Sequence, residues 1–289
     1  MTETVSNDRT WDRERAQARL DGFVHDNRFT VAVVFPLVGA VGLVASEAGW
    51  LPAPLAFSPT LLLFGTAVMR LPLAAGLAPL VDRRAVLALT ALVAYAYVIE
   101  TAGVLTGFPY GSFEYGVALG PMLGGVVPAA LPVFFVPLVA NSYLLCLLLL
   151  GDRADSAAVR LPAVVAAVVA VDLVLDPAAV GLGFWGYGGG PYYGVPLSNY
   201  AGWVLSAVVS AVLLDRAFDR TAVVQRVRDC EFALDDLVSF VLLWGAINAW
   251  FGNWLAVGVA GLFFAGILRI GRFDFALQDV IPPWLAGRD

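Results

Sequence analysis

Long apolar stretches divide this chain, and every second connection between them lacks basic residues. A spanning helix needs about 20 mostly apolar residues. Windows of that kind fall at 29–48, 56–75, 85–106, 122–150, 158–180, 199–215, 234–252 and 253–270. The fourth is over-long and carries Pro128, Pro132 and Pro137, so its first part is expected to be kinked or broken. The last two meet near Gly252 and Asn253. Sixty per cent of the 289 residues are apolar and 14% are charged, against about 25% charged in soluble domains. The fold class that follows is all-α: a polytopic integral-membrane helical bundle of about eight transmembrane helices.

The arginines orient this bundle. Cytoplasmic loops attract basic residues. Arg9, Arg13, Arg15, Arg19 and Arg28 precede the first window. Arg70, Arg83 and Arg84 lie at or between the second and third, and Arg153 and Arg160 join the fourth and fifth. Arg216, Arg220, Arg226 and Arg228 join the sixth and seventh, and Arg269, Arg272 and Arg288 close the chain. With eight helices and both termini inside, all 17 basic residues fall on one side. An odd number of helices would break this pattern. The expected organisation is a polar cytoplasmic tail over 1–28, a transmembrane catalytic domain over 29–275 and a short tail over 276–289. The charged first 28 residues do not read as a leader peptide.

What is missing narrows the chemistry. Lysine is absent, so no Schiff base can form. The one histidine, His25, cannot supply the His boxes of a di-iron oxygenase or a bis-His haem site. Cys146 and Cys230 form no CxxC pair. Neither a P-loop nor a dinucleotide fingerprint occurs, and nothing points to nucleic acid. Catalysis is left to carboxylates, phenols, amides and water, with no cofactor and no metal. The net charge of −6 without lysine suits a salt-adapted source.

Two arginine-free connections are rich in Gly and aromatic residues. The first runs from Gly107-Phe108-Pro109-Tyr110 through Glu114-Tyr115-Gly116-Val117, the second from Gly183-Phe184-Trp185-Gly186-Tyr187 through Tyr192-Tyr193-Gly194-Val195-Pro196. Irregular backbone near a membrane is tolerated where it is buried in protein or lines a cavity. Both are therefore expected to be re-entrant or lid loops over a pocket. Each follows an acid by seven residues, Glu100 before Gly107 and Asp176 before Gly183, and each runs on to Tyr-Gly-Val, at Tyr115 and Tyr193. That spacing suggests a parallel internal repeat.

A carboxylate at a helix centre costs roughly 2.5–3.5 kcal/mol on insertion scales, and such groups normally face a cavity. Glu100, Asp172 and Asp176 are expected at one depth, far from any arginine. Because Pro177 follows it, Asp176 is expected at the C-terminal end of its helix. There the helix dipole and the like charge of Asp172 would favour its protonated form. Asp215 and Asp219, interleaved with Arg216 and Arg220, read as a solvated face. Asp235 and Asp236 read as helix caps. Asn141 and Asn248 read as interhelical hydrogen bonds, with Asn141 also a candidate pocket residue. Asn199 reads as an N-cap or a site residue, and Trp203 shares its face.

The runs Gly107-Phe108-Pro109-Tyr110-Gly111 to Tyr115, Leu119-Gly120, Asp176-Pro177, Trp185, Tyr192-Tyr193-Gly194-Val195-Pro196, Asn199 and Gly202-Trp203 resemble the integral-membrane carotenoid hydratases. The resemblance covers about 100–280. It departs at Gly124-Gly125-Val126-Val127-Pro128, where a tighter Gly-Val-Pro is expected. It implies addition of water to the acyclic ends of a carotenoid. The salt-adapted composition points to the haloarchaeal branch and a C50 substrate with two equivalent ends. On that basis Asp176 is the expected proton donor and Glu100 its partner, with Asp172 and Glu114 in support. Tyr110, Tyr115, Trp185, Tyr187, Tyr192 and Tyr193 are the expected substrate-binding wall, with Asn199, Trp203 and Asn141 beside it. The expected partners are the lipophilic carotenoid, the lipid bilayer and other membrane enzymes of carotenoid biosynthesis. A proton-coupled transporter and a membrane prenyltransferase are the rival readings.

Overall fold

Eight of the helices follow the eight apolar windows. A computed structural model describes residues 3–275, which contain ten α-helices and four two-residue strands. The helices are α1 (Glu3–Asp26), α2 (Phe35–Glu47), α3 (Pro59–Leu77), α4 (Arg83–Thr106), α5 (Leu131–Leu150), α6 (Ala157–Gly181), α7 (Leu197–Ala217), α8 (Arg220–Asp229), α9 (Asp235–Phe251) and α10 (Trp254–Arg269). The strands are β1 (Glu114–Tyr115), β2 (Met122–Leu123), β3 (Val127–Pro128) and β4 (Trp185–Gly186). A π-helical turn, Thr30–Val34, leads into α2. Six spans, built on α2 to α7, are long and apolar enough to cross a membrane. Helices α9 and α10 have 17 and 16 residues and are joined only by Gly252 and Asn253. The expected 276–289 tail lies outside the described residues.

Four expectations are refined or corrected. The stretch 122–130 is not helical. A hairpin pairs Met122 with Pro128 and Leu123 with Val127, and α5 begins only at Leu131, with a proline in its first turn. The polar N-terminal segment is helical over Glu3–Asp26. It lies across the end of α3, where Gln17 donates to the Ala75 carbonyl at 3.0 Å and Arg13 to those of Ala78 and Val81, each at 3.2 Å. Orphaned carbonyls at a helix C-terminus favour such cationic and amide donors.

The third concerns Asp176. Pro177 sits inside α6, which continues to Gly181. A proline cannot bond the carbonyl four residues back. That carbonyl, of Leu173, accepts the Tyr192 hydroxyl at 3.2 Å. The next one, of Val174, accepts Asn248 Nδ2 at 2.7 Å. With both supplied by neighbours, the helix has no reason to stop, and Asp176 projects from its body. The same logic holds in α5. Pro137 frees the Val133 carbonyl, which Arg70 Nε reaches at 3.2 Å.

The fourth concerns Arg70, Asp235 and Asp236. Arg70 lies within α3. Neither aspartate caps α9. Asp235 binds the Arg28 guanidinium through both oxygens, at 2.9 and 3.1 Å. Asp236 pairs with Arg70 and accepts Asn141 Nδ2 at 2.7 Å. Asp215 is likewise held by Arg160 and by the Tyr143 hydroxyl at 2.9 Å, and Asp219 caps α8. Arg226 ties α8 to Asp21 and Gly76, Arg220 pairs with Asp155, and Arg272 reaches the carbonyls of Val227 and Cys230. These links gather the arginine-bearing segments at one end of the bundle. The two aromatic loops lie at the other.

Candidate active site

The loops after α4 and α6 are joined. Strand β1 pairs antiparallel with β4, setting Tyr115 opposite Trp185 and Glu114 opposite Gly186. The Gly116 amide donates to the Phe184 carbonyl at 3.0 Å. The approach is so close that a Cβ on Gly116 would stand 2.4 Å from the Gly183 oxygen. Glycine is required there because any side chain would push the loops apart. Gly116→Ala is expected to lower stability by about 1–3 kcal/mol and to impair activity, measurable as a drop in Tm with slower turnover. A variant with unchanged Tm and rate would show that the loops do not need this contact.

Beneath the joined loops is a cavity of about 110 Å³. Its walls include Glu100 of α4, Asp176 of α6, Asn199 and Trp203 of α7, and Tyr110, Tyr115, Trp185 and Tyr187 of the loops. Leu131, Phe134, Phe135 and Leu138 of α5, with Leu175 and Trp244, supply much of the apolar remainder. Among the described residues, no basic side chain lines it.

Each acid in the wall carries a phenol from the loop that follows its own helix. The Tyr115 hydroxyl donates to Glu100 Oε1. The Tyr187 hydroxyl shares its one hydrogen between Asp176 Oδ2 at 3.2 Å and Asn199 Oδ1 at 3.0 Å. Asn199 Nδ2 spans the two aspartates, bonding Asp172 Oδ2 at 2.9 Å and Asp176 Oδ2. The i, i+4 spacing of Asp172 and Asp176 puts both on one face of α6, and one amide group can serve both. Burial, reinforced by the nearby acids, pushes the Tyr115 and Tyr187 phenols well above the ordinary tyrosine range. Both therefore act as hydrogen-bond donors and do not ionise.

Aromatic faces complete the wall. Trp203 stacks on Phe135 with centroids 5.3 Å apart and leans on Tyr110 at 6.0 Å. Tyr110 is nearly enclosed and bonds Ser206 Oγ at 2.7 Å. Phe113 sits between the two phenols, 5.7 Å from Tyr115 and 5.8 Å from Tyr187.

The model of the carotenoid biosynthesis protein family matches residues 57–267, which contain this whole cavity. The chain belongs to that family. A curated relative is bisanhydrobacterioruberin hydratase of Haloarcula japonica (strain TR-1), 62% identical over 264 residues, covering 91% of this chain and 90% of the relative. No solved structure matches.

In this carotenoid biosynthesis protein the cavity gathers Glu100, Asp176, Tyr110, Tyr115, Trp185, Tyr187, Asn199 and Trp203 from the sequence-derived set. Asp172 stands just behind, bonded to Asn199. Four residues lie elsewhere. Glu114 is exposed, because alternation along β1 turns it outward when Tyr115 turns in. Asn141 is bonded to Asp236. Tyr192 braces the Leu173 carbonyl and Tyr193 receives the Leu255 amide at 3.1 Å, both outside the cavity. The internal repeat thus matched the wrong tyrosine: the counterpart of Tyr115 in contact with an acid is Tyr187, not Tyr193. Phe113, Phe135, Leu138 and Trp244 were not anticipated. Phe113 was findable within the first loop, whereas Trp244 on α9 carried no local signal.

Proposed function

We propose that this chain is a carotenoid hydratase that adds water across the terminal C=C bonds of an acyclic carotenoid. Its substrate would be bisanhydrobacterioruberin, the compound in the relative's name. One observation carries the chemistry: two acid–phenol pairs, Glu100–Tyr115 and Asp176–Tyr187, border a single apolar, cation-free cavity. The cavity is smaller than a typical ligand pocket of about 300–1,000 Å³. It suits the end of a long polyene, with the remainder of the chain outside.

Asp176, as the carboxylic acid, protonates the less substituted alkene carbon. A tertiary carbocation forms on its neighbour. Water attacks that carbon, forming the C–O bond, and gives its second proton to the Glu100 carboxylate. The net change is alkene plus water to tertiary alcohol. One proton then returns from Glu100 to Asp176 to reset the site. Positioned general acids contribute about 10²–10⁴-fold. The faces of Trp203, Tyr110 and Trp185 stabilise the cation by cation–π attraction, about 2 kcal/mol for a desolvated ring. The lack of an arginine in the wall counts against a diphosphate substrate. The chain is read as crossing the membrane eight times with both termini cytoplasmic, the loops lying toward the exterior leaflet, and with other carotenoid enzymes in the same membrane.

The test is expression in a host that makes the acyclic carotenoid. Products one and two waters heavier are expected by mass spectrometry. Unchanged carotenoid with correctly inserted protein would refute the reading, and proton-coupled uptake by vesicles would favour a transporter. Tyr187→Phe, which keeps the ring and removes the bond to Asp176, is expected to slow hydration about tenfold or more. An unaltered rate would remove that phenol from the mechanism.

A further inference from the structure

Next to Asn199 and outside the cavity lining, two polar atoms are buried without partners among the described residues: Asp172 Oδ1 and the Tyr200 hydroxyl. Asp172 is only 1% exposed. Its other oxygen is taken by Asn199, the residue before Tyr200. The Tyr200 ring packs on Tyr192 at 5.7 Å, and the Tyr192 hydroxyl reaches the carbonyl of Leu173, the residue after Asp172. Both orphaned atoms therefore face the same stretch of the α6–α7 interface, and no hydrogen bond joins them directly. Buried polar atoms in native proteins are almost always satisfied, by protein or by an ordered water. Asp172 is the leading charged neighbour of the Tyr200 phenol, and a buried carboxyl and phenol on one interface that do not bond each other suit one bridging water.

We infer that Asp172 and Tyr200 hold a resident water molecule next to Asn199, and that this site supplies the water consumed in the cavity. The inference rests on the hydratase reading. It gives Asp172 a role that its absence from the cavity wall otherwise leaves open. Asp172 would be a positioning residue, orienting Asn199 with one oxygen and the water with the other. Each addition consumes one water, so a polar station one side chain away from Asp176 would hold the incoming molecule and be refilled from bulk water between turnovers.

Tyr200→Phe tests this because it deletes only the hydroxyl. If the hydroxyl were dry, its removal would leave the rate unchanged and Tm equal or higher, since an unsatisfied buried polar group is costly. The expected result is hydration slowed roughly tenfold at unchanged KM for the carotenoid. X-ray hydroxyl-radical footprinting, which oxidises side chains beside bound water, supplies the second readout. Oxidation at position 200 is expected in the wild type and lost in the variant. Absence of oxidation in the wild type, or a variant rate within about twofold of it, would overturn the inference. Loss of oxidation without loss of rate would also overturn it, as the water would then be structural. A wild type that adds no water to any carotenoid would instead defeat the hydratase reading, whatever the footprint shows.

Discussion

Asp176→Asn is expected to abolish hydration while the protein still folds and inserts. The amide keeps the size and shape of the acid but cannot deliver a proton. Tyr187 can still donate to its oxygen, and Asn199 remains bonded to Asp172. The fall in rate should reach the full general-acid contribution, about 10²–10⁴-fold. The products one and two waters heavier should disappear from the mass spectrum together, because both ends of the substrate use the same acid. Asp172→Asn should cost less, since Asp172 does not touch the cavity. Glu100→Gln should resemble Asp176→Asn, as either acid is needed once per cycle. Full hydration by Asp176→Asn would remove this residue from the reaction and transfer the donor role to Glu100.

The second large effect is on stability. Arg70 and Asp236 form an ion pair between α3 and α9, and Asp236 is completely enclosed. Removing one partner of a buried pair costs about 3–5 kcal/mol, because the other is left charged and unpaired. Arg70→Met should therefore lower Tm sharply and reduce the amount of inserted protein. Two more groups depend on the pair: Val133, whose carbonyl uses Arg70, and Asn141, whose amide uses Asp236. The double variant Arg70→Met with Asp236→Leu should recover part of the loss but not all. It removes the unpaired charge yet still strands the buried Asn141 amide, at about 1–3 kcal/mol. Thermal unfolding in detergent would measure both variants. If the double variant were no more stable than Arg70→Met alone, the charge would not be the source of the loss.

These two results probe different parts of the sequence reading. Apolar blocks of helical length are set by composition, so the helices emerged near their expected windows. The acids Glu100 and Asp176 stood out because a carboxyl without a nearby cation is rare in an apolar segment. Loops crowded with Gly and aromatics stood out for the same reason, since irregular backbone has few tolerable places in a membrane protein. All three signals are local, carried by neighbouring residues in the chain.

Elsewhere the local signal misled. Pro177 marked a helix end, but Tyr192 satisfies the carbonyl it frees and Asn248 braces the next one, both from other segments. Asp236 had the local pattern of a cap, yet it meets Arg70 from a helix more than 160 residues earlier. Tyr193 had the better repeat spacing, but Tyr187 has the reach. Glu114 was chosen by its loop and lost by the alternation of β1. By itself the sequence determined an all-helical membrane chain and a short list of acids for its chemistry, because desolvation penalties act on each residue wherever the chain goes. Only tertiary structure decided which phenol serves which acid, which prolines leave a helix intact and which charges pair, because each depends on a partner that chain position does not name.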